Sequence, residues 1–349
     1  MPTNKKTFFG RQKELDAIFQ NIEIYRFDKP RHLLYVSKPK AGATTLLKYV
    51  HRKLKADPQI VPLYFDFSRL ATTPEEFGSA FTETSRRQLQ ARNFKMTGFT
   101  PIRDSRQGIL EEALSYPQKA VQGKNLKILY LFDNLGESLL LEHYRGIDNV
   151  LRLLSKTTLH EHSSSIMTTS YDKALKRFHD SDSFHAPNLE IEELGQFTTR
   201  EALEFLKMLL PNHKNSDLEK IALLASGQPF YLKNLAGAFK HKLEIDEEVL
   251  ERIFSRAITG GSPVGVFLES YYQIILLKAR YYGPLKSLMR FLSSHEGLMQ
   301  IEICRRLKAK QGIMRLYLKE LEELGVIYRD KRRYYFSDLV FREWIIHQR

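Results

Sequence analysis

HLLYVSKPKAGATTLLKYVHRKL, residues 32–54, passes from an apolar run through a Gly- and Pro-bearing loop into helically spaced leucines. That order predicts a strand, a turn and an amphipathic helix. Such a loop can cradle phosphate: glycine lets backbone N–H groups turn toward anionic oxygens, and the helix N-terminus favours negative charge. A complete phosphate loop, G-x-x-x-x-G-K-[ST], adds a Lys for the β- and γ-phosphates and a hydroxyl for Mg²⁺. Here it falls on Ser37, Lys38, Pro39, Lys40, Ala41, Gly42, Ala43 and Thr44, with Thr45 next. Gly42 and Thr44 are in place. Ser37 replaces the first Gly, and Ala43 stands where the Lys belongs.

The Ala43 methyl cannot neutralise a transferring phosphate. Three accounts fit: a Lys changed to Ala to disable the site, a natural loss of hydrolysis, or charge supplied by Lys38 or Lys40 from within the loop. A plain strand-to-helix turn over 37–44 also fits.

Four more runs read as strands: VPLYFDF (61–67), KILYLFDN (127–134), SSIMTTS (164–170) and NLEIEEL (188–194). Helical spacing recurs at 10–20 and about 75–92 and 106–122. Strands separated by helices predict an α/β fold with a parallel sheet. KILYLFDN is continuously apolar, as a strand buried on both faces should be. Asp133 ends that run, where a carboxylate would hold Mg²⁺ through water; a strand-end cap is the plainer alternative. Asn134 follows, and an amide can orient water but cannot accept its proton.

After residue 195 the strand signal stops and helices are expected at 200–210, 217–226, 230–243 and 247–258. ITGGSPVG (258–265) reads as a linker. Beyond it come helices over about 266–294, then two helices across a short turn and two aromatic strands around DKRR, which spell a winged helix-turn-helix. The expected domains are a core at 1–195, a helical lid at 196–260 and a winged helix at 261–349. Leu316, Leu318, Leu321 and Leu324 are assigned to the core of the second of those helices, and Trp344 to packing.

The 349 residues carry 54 Lys+Arg against 41 Asp+Glu, a net charge of +13 that favours acidic partners, nucleic acid first. One cysteine, Cys304, excludes a disulfide framework and a Cys-rich zinc module. His160 and His162 are too close and unaccompanied for a metal signature. No stretch reaches the roughly 18 apolar residues of a membrane span, and MPTNKKTFFGRQ has no apolar leader core. A cytoplasmic protein with no membrane partner is expected.

Residues 300–349 hold twelve Lys/Arg against seven Asp/Glu. Lys308, Lys310, Arg315 and Lys319 lie in or beside the expected recognition helix; Arg329, Lys331, Arg332 and Arg333 lie on the wing. Double-stranded DNA would take the helix in its major groove, with the wing on phosphate or in the minor groove. Glu320, Glu322 and Glu323 oppose this, and protein docking is the alternative.

FFGRQKEL (8–15), the phosphate loop, LYLFDN, the TTS strand end, ELGQFTTREALEFL (193–206), SGQPFYL (226–232) and a terminal winged helix occur in one order. In that order the chain resembles the archaeal-type ATPases of the AAA+/STAND group of P-loop NTPases, over about residues 8–345. The resemblance implies ATP or ADP with Mg²⁺ as ligands, bound between the core and an α-helical lid. It places Phe9, Gly10 and Arg11 near adenine, Gly42, Thr44 and Thr45 at the phosphates and metal, and Asp133 at the metal. It also puts Thr169 or Ser170 at the γ-phosphate or attacking water, and Pro229 at the base. An arginine finger in a homo-oligomer is expected, with Arg145, Arg177 and Arg200 all available. The resemblance implies nucleotide-controlled display of a basic winged helix, with hydrolysis impaired by Ala43 and Asn134. A non-hydrolysing DNA-binding regulator and a protein-docking oligomerising switch are the rival readings.

Overall fold

The computed structural model describes residues 8–70, 72–92, 105–159, 162–170, 174–242 and 244–348. The chain forms two compact units: residues up to Ser170 with Ala174–Gly195, and Gln196 onward. In the first, α1 (Gln12–Phe27), β1 (His32–Ser37), α2 (Ala43–Leu54), β2 (Ile60–Asp66), α3 (Phe67–Leu70), α4 (Pro74–Gln90) and α5 (Arg106–Val121) come in succession. Then follow β3 (Lys127–Asp133), a 3₁₀ helix (Leu135–His143), α6 (Val150–Thr158), β4 (Ser163–Ser170), α7 (Ala174–Phe178) and β5 (Leu189–Leu194). The strands make one parallel sheet in the order β2-β3-β4-β1-β5, and each coincides with a segment read as a strand from the sequence.

Both faces of that sheet are covered. Leu129 and Leu131 of β3 pack with Ile18 and Tyr25 of α1 and Leu46 and Val50 of α2. Tyr130 and Phe132 pack with Phe77 and Phe81 of α4, Leu114 of α5 and Leu151 of α6. This double cover is why β3 shows no polar alternation. The alternation instead carries position, because Asp133 continues the Leu129–Leu131 series and so lies on the α2 face. The exposed edge of β2 is closed by Gln88, whose amide accepts from the Tyr64 N–H at 2.8 Å and donates to the Tyr64 carbonyl at 3.0 Å.

The second unit runs through α8 (Thr199–Leu209), α9 (Asn215–Leu224), α10 (Pro229–Phe239), α11 (Glu247–Ile258), α12 (Pro263–Lys278) and α13 (Tyr282–Ser294). It continues with β6 (Leu298–Met299), α14 (Gln300–Leu307), α15 (Gln311–Glu323), β7 (Ile327–Asp330), β8 (Arg333–Phe336) and α16 (Leu339–His347). The antiparallel sheet β6-β8-β7 beside α14 and α15 is the expected winged helix. Trp344 is buried, in ring contact with Phe341 and Tyr272.

Residues 258–265, read as a linker, form a tight capped turn between α11 and α12: Ser262 Oγ accepts from the Gly265 N–H, and a Cβ at Gly265 would sit 2.7 Å from the Gly260 carbonyl. One expectation is corrected. Leu316 is not in the core but 51% exposed, whereas Met314, Leu318 and Leu321 are buried. Two residues along an α-helix are roughly 200° apart, so Leu316 and Leu318 cannot share a face.

Candidate functional site

The loop after β1 turns through Lys40 (φ 67°) and Gly42 (φ 103°, ψ 7°) into α2. The left-handed conformation at Gly42 strongly favours a residue without Cβ, and a Cβ there would face open space. Ala41, 2% exposed, pins the turn by donating its N–H to the Lys38 carbonyl at 3.2 Å. Gly42, the N-cap of α2, has no side chain to bond the first N–H groups, and the first turn contains no acidic residue. The early N–H groups of this 12-residue helix therefore keep their capacity for an anion. Thr44 and Thr45 stand in that first turn; Ser37 is buried as the last residue of β1.

Arg11 braces the loop from behind. It is 5% exposed, adopts φ 62°, and donates to the carbonyls of Ala41 at 2.8 Å and Gly195 at 2.6 Å. Glu14, 3.1 Å away, balances its charge. Its role is thus to fix backbone, with Gly10 (φ 69°) and half-buried Phe9 preceding it.

At the strand ends, Asp133 is fully buried and accepts hydrogen bonds from Tyr64 Oη at 2.8 Å and Thr168 Oγ1 at 2.7 Å. Burial first, and then the Asp133 charge, push the Tyr64 phenol well above its usual pKa, so it stays a donor. Asn134 adopts φ 56°, donates its N–H to Thr168 Oγ1 at 3.0 Å, and donates from Nδ2 to Asp66 Oδ1 at 2.9 Å. Thr168, not Thr169, is therefore the β4 hydroxyl that meets Asp133. By strand alternation Thr169 lies on the other face, and its buried Oγ1 has no partner among the described residues. Sequence reasoning missed Tyr64, Asp66 and Thr168; the only available signal was their placement at or near strand ends.

In the second unit, Gly227 has φ 69°, and a Cβ there would come within 2.4 Å of the Phe197 carbonyl. The Phe197 N–H donates to the Gly227 carbonyl at 2.9 Å, and Pro229 opens α10. A packed turn accounts for this glycine. Arg177 is held bidentate by Glu142 at 2.9 and 3.1 Å, Arg200 pairs with Glu204, and Arg145 is exposed.

All eight basic candidates of the winged helix are exposed. Lys308 (φ 49°) and Lys310 bracket the turn from α14 to α15; Arg315 and Lys319 lie on α15. Lys331 (φ 44°) and Arg332 (φ 73°) form the two-residue tip between Asp330 and Arg333 of the paired strands. Arg329 lies near Glu322 and Tyr334, and Arg333 donates to the Gly297 carbonyl. Glu320 does not oppose an anionic partner, being buried with the Arg280 N–H on its Oε1 at 3.3 Å. Ile313 and Leu316, 44% and 51% exposed, share the outer side of α15 with these cations. His160 lies outside the described residues. Among the described residues no helix is long and apolar enough to cross a membrane.

No family model matches this chain, and no curated protein matches it. Solved structures do. The Walker-type ATPase PABY2304 of Pyrococcus abyssi superposes with TM-score 0.69 at 16% identity, over 99% of this chain and 98% of that one. The Aeropyrum pernix ORC2 protein, in ADPNP and ADP complexes, superposes with TM-score 0.56 at 13% identity, over 97% and 94%. The chain therefore has the fold of archaeal P-loop ATPases of the AAA+ type, a parallel-sheet core followed by a helical region and a C-terminal winged helix.

Proposed function

We propose that this chain binds ATP or ADP with Mg²⁺ at the loop 37–44 and that nucleotide state governs a basic winged helix that contacts double-stranded DNA. The observation that carries the reading is the pairing of an α2 N-terminus that opens on the left-handed Gly42 with a buried carboxylate, Asp133, on the same face of the sheet. The donor set fits a metal-bound triphosphate: backbone N–H groups of Gly42, Ala43 and Thr44 for phosphate, Thr44 and Asp133 for Mg²⁺. Mg²⁺ would supply neutralisation of phosphate charge. Ala43 leaves one positive charge missing from the loop, so turnover is slow and binding serves mainly as a population shift between states.

On this reading, Ala43→Lys raises ATP hydrolysis by at least about tenfold, and ATP changes the affinity of the chain for duplex DNA in a mobility-shift assay. DNA binding weakens steeply with salt, as several phosphate contacts demand. DNA affinity indifferent to nucleotide in both proteins would instead favour a plain DNA-binding regulator.

A second reading has a specific observation behind it. Exposed Ile313 and Leu316 put apolar surface on the helix that would enter the groove, which suits a protein partner or a homo-oligomer contact. ATP-dependent assembly without DNA, abolished by Leu316→Glu, would select it.

A further inference from the structure

The nucleotide reading leaves one chemical gap, since Asn134 stands beside the metal-site Asp133 and cannot take a proton. We propose that Asp66, at the end of β2, is the catalytic carboxylate that fills this gap, an inference that rests on the nucleotide reading. Asp66 pairs directly with Asp133 across β2 and β3, so the two carboxylates leave neighbouring strands at the same level. Asp66 also continues the Tyr64 series of β2, which alternation puts on the α2 face together with Asp133.

The two acids differ in what they can do. Asp133 is fully buried and takes one hydroxyl on each oxygen, from Tyr64 and Thr168. The Asp66 side chain is 13% exposed. Its Oδ1 is saturated by the Ser68 N–H, Ser68 Oγ and Asn134 Nδ2. Among the described residues its Oδ2 has only the guanidinium of largely exposed Arg69, at 3.4 Å. Oδ2 is therefore the oxygen with lone pairs to spare.

Asn134 completes the pair. Its backbone is fixed by Thr168 and one amide hydrogen by Asp66, which leaves Oδ1 to accept from a water and orient it. Amide and acid then divide the work that one glutamate could do alone: Asn134 positions the water, and Asp66 Oδ2 receives its proton. In the step, the water oxygen bonds to the γ-phosphorus and the bond from that phosphorus to the β–γ bridging oxygen breaks. The electron pair leaves on ADP, and the proton on Asp66 later returns to solvent.

The plainer role for Asp66 is structural, as an Asx turn over Ser68 that also holds Asn134. Asp66→Asn separates the two roles, because an amide oxygen keeps those acceptor contacts and removes only the base. The test uses the full chain carrying Ala43→Lys, with single-turnover ATP hydrolysis and binding of a fluorescent ATP analogue. Adding Asp66→Asn should lower hydrolysis by at least about a hundredfold, with nucleotide affinity held within roughly twofold. The exchange Asp66→Asn with Asn134→Asp, which puts the carboxylate just after β3, should recover at least about tenfold. An unchanged rate in Asp66→Asn, or an exchange that folds and binds but recovers nothing, overturns the proposal. So does an Ala43→Lys chain that binds ATP without hydrolysing it. Absence of nucleotide binding is a different result: it removes the nucleotide reading itself, and this inference with it.

Discussion

Arg11 shows how one side chain can set the shape of a loop it does not belong to. A buried guanidinium on two carbonyls, with Glu14 beside it, ties the phosphate loop to the end of β5. Hydrogen bonds involving a charged group are worth about 1.5–3 kcal/mol each. Arg11→Ala should therefore lower stability by roughly 3 kcal/mol and weaken nucleotide binding, read by denaturant titration and analogue binding; wild-type values for both would refute the brace. His51 of α2 makes a prediction in pH. Burial holds its pKa below the usual 6.5, against a Gln88 hydrogen bond that raises it and with Lys55 lowering it further. Below that range the unfolded chain binds the proton more readily, so stability is greatest above about pH 6.5 and is lost as pH falls through the lowered value. His51→Phe should flatten the change in denaturation midpoint between about pH 7.5 and about pH 5.5; an identical slope in both proteins would contradict it.

At the scale of elements, the wing tip places charge where backbone comfort is poor. Lys331 and Arg332 both hold positive φ in a two-residue hairpin turn that ordinarily takes Asn-Gly. Lys331→Asn with Arg332→Gly should raise stability by about 1 kcal/mol and weaken DNA binding, with a shallower salt slope. Unchanged DNA affinity would remove the wing from the interface. The strands themselves were legible in the sequence, because burial on both faces writes β3 as an unbroken apolar run and aromatic residues mark β7 and β8. Of the candidate site, only Gly42, Thr44 and Asp133 were legible, because chain order carries them. Tyr64, Asp66 and Thr168 reach Asp133 and Asn134 through the order β2-β3-β4, and that order follows from crossovers that no local pattern encodes. Thr168 and Thr169 are both strand-end hydroxyls, and only the pleat decides which one faces Asp133. Leu316 misled because a leucine spaced by two looks continuous in sequence while lying on the opposite side of a helix.

At the scale of the molecule, the second unit is compact, with its helices and winged helix packed together. Phe230 of α10 meets Phe267 of α12, which stacks on Tyr271, which meets Phe341 of α16. Tyr231 of α10 donates to Asp338 Oδ2 at 2.7 Å while Asp338 Oδ1 caps α16. Helix α10, opened by Pro229, and the winged helix are thereby joined through mostly half-buried aromatic rings and a hydrogen bond, a coupling within the second unit that the proposed nucleotide switch would need. That scheme stands on the phosphate loop accepting a triphosphate. Calorimetric titration of Mg-ATP into the chain and into Ala43→Lys tests it most directly. The account predicts saturable binding at one site per chain, tightened at least about tenfold by the lysine. No saturable binding by either protein up to millimolar Mg-ATP would contradict it.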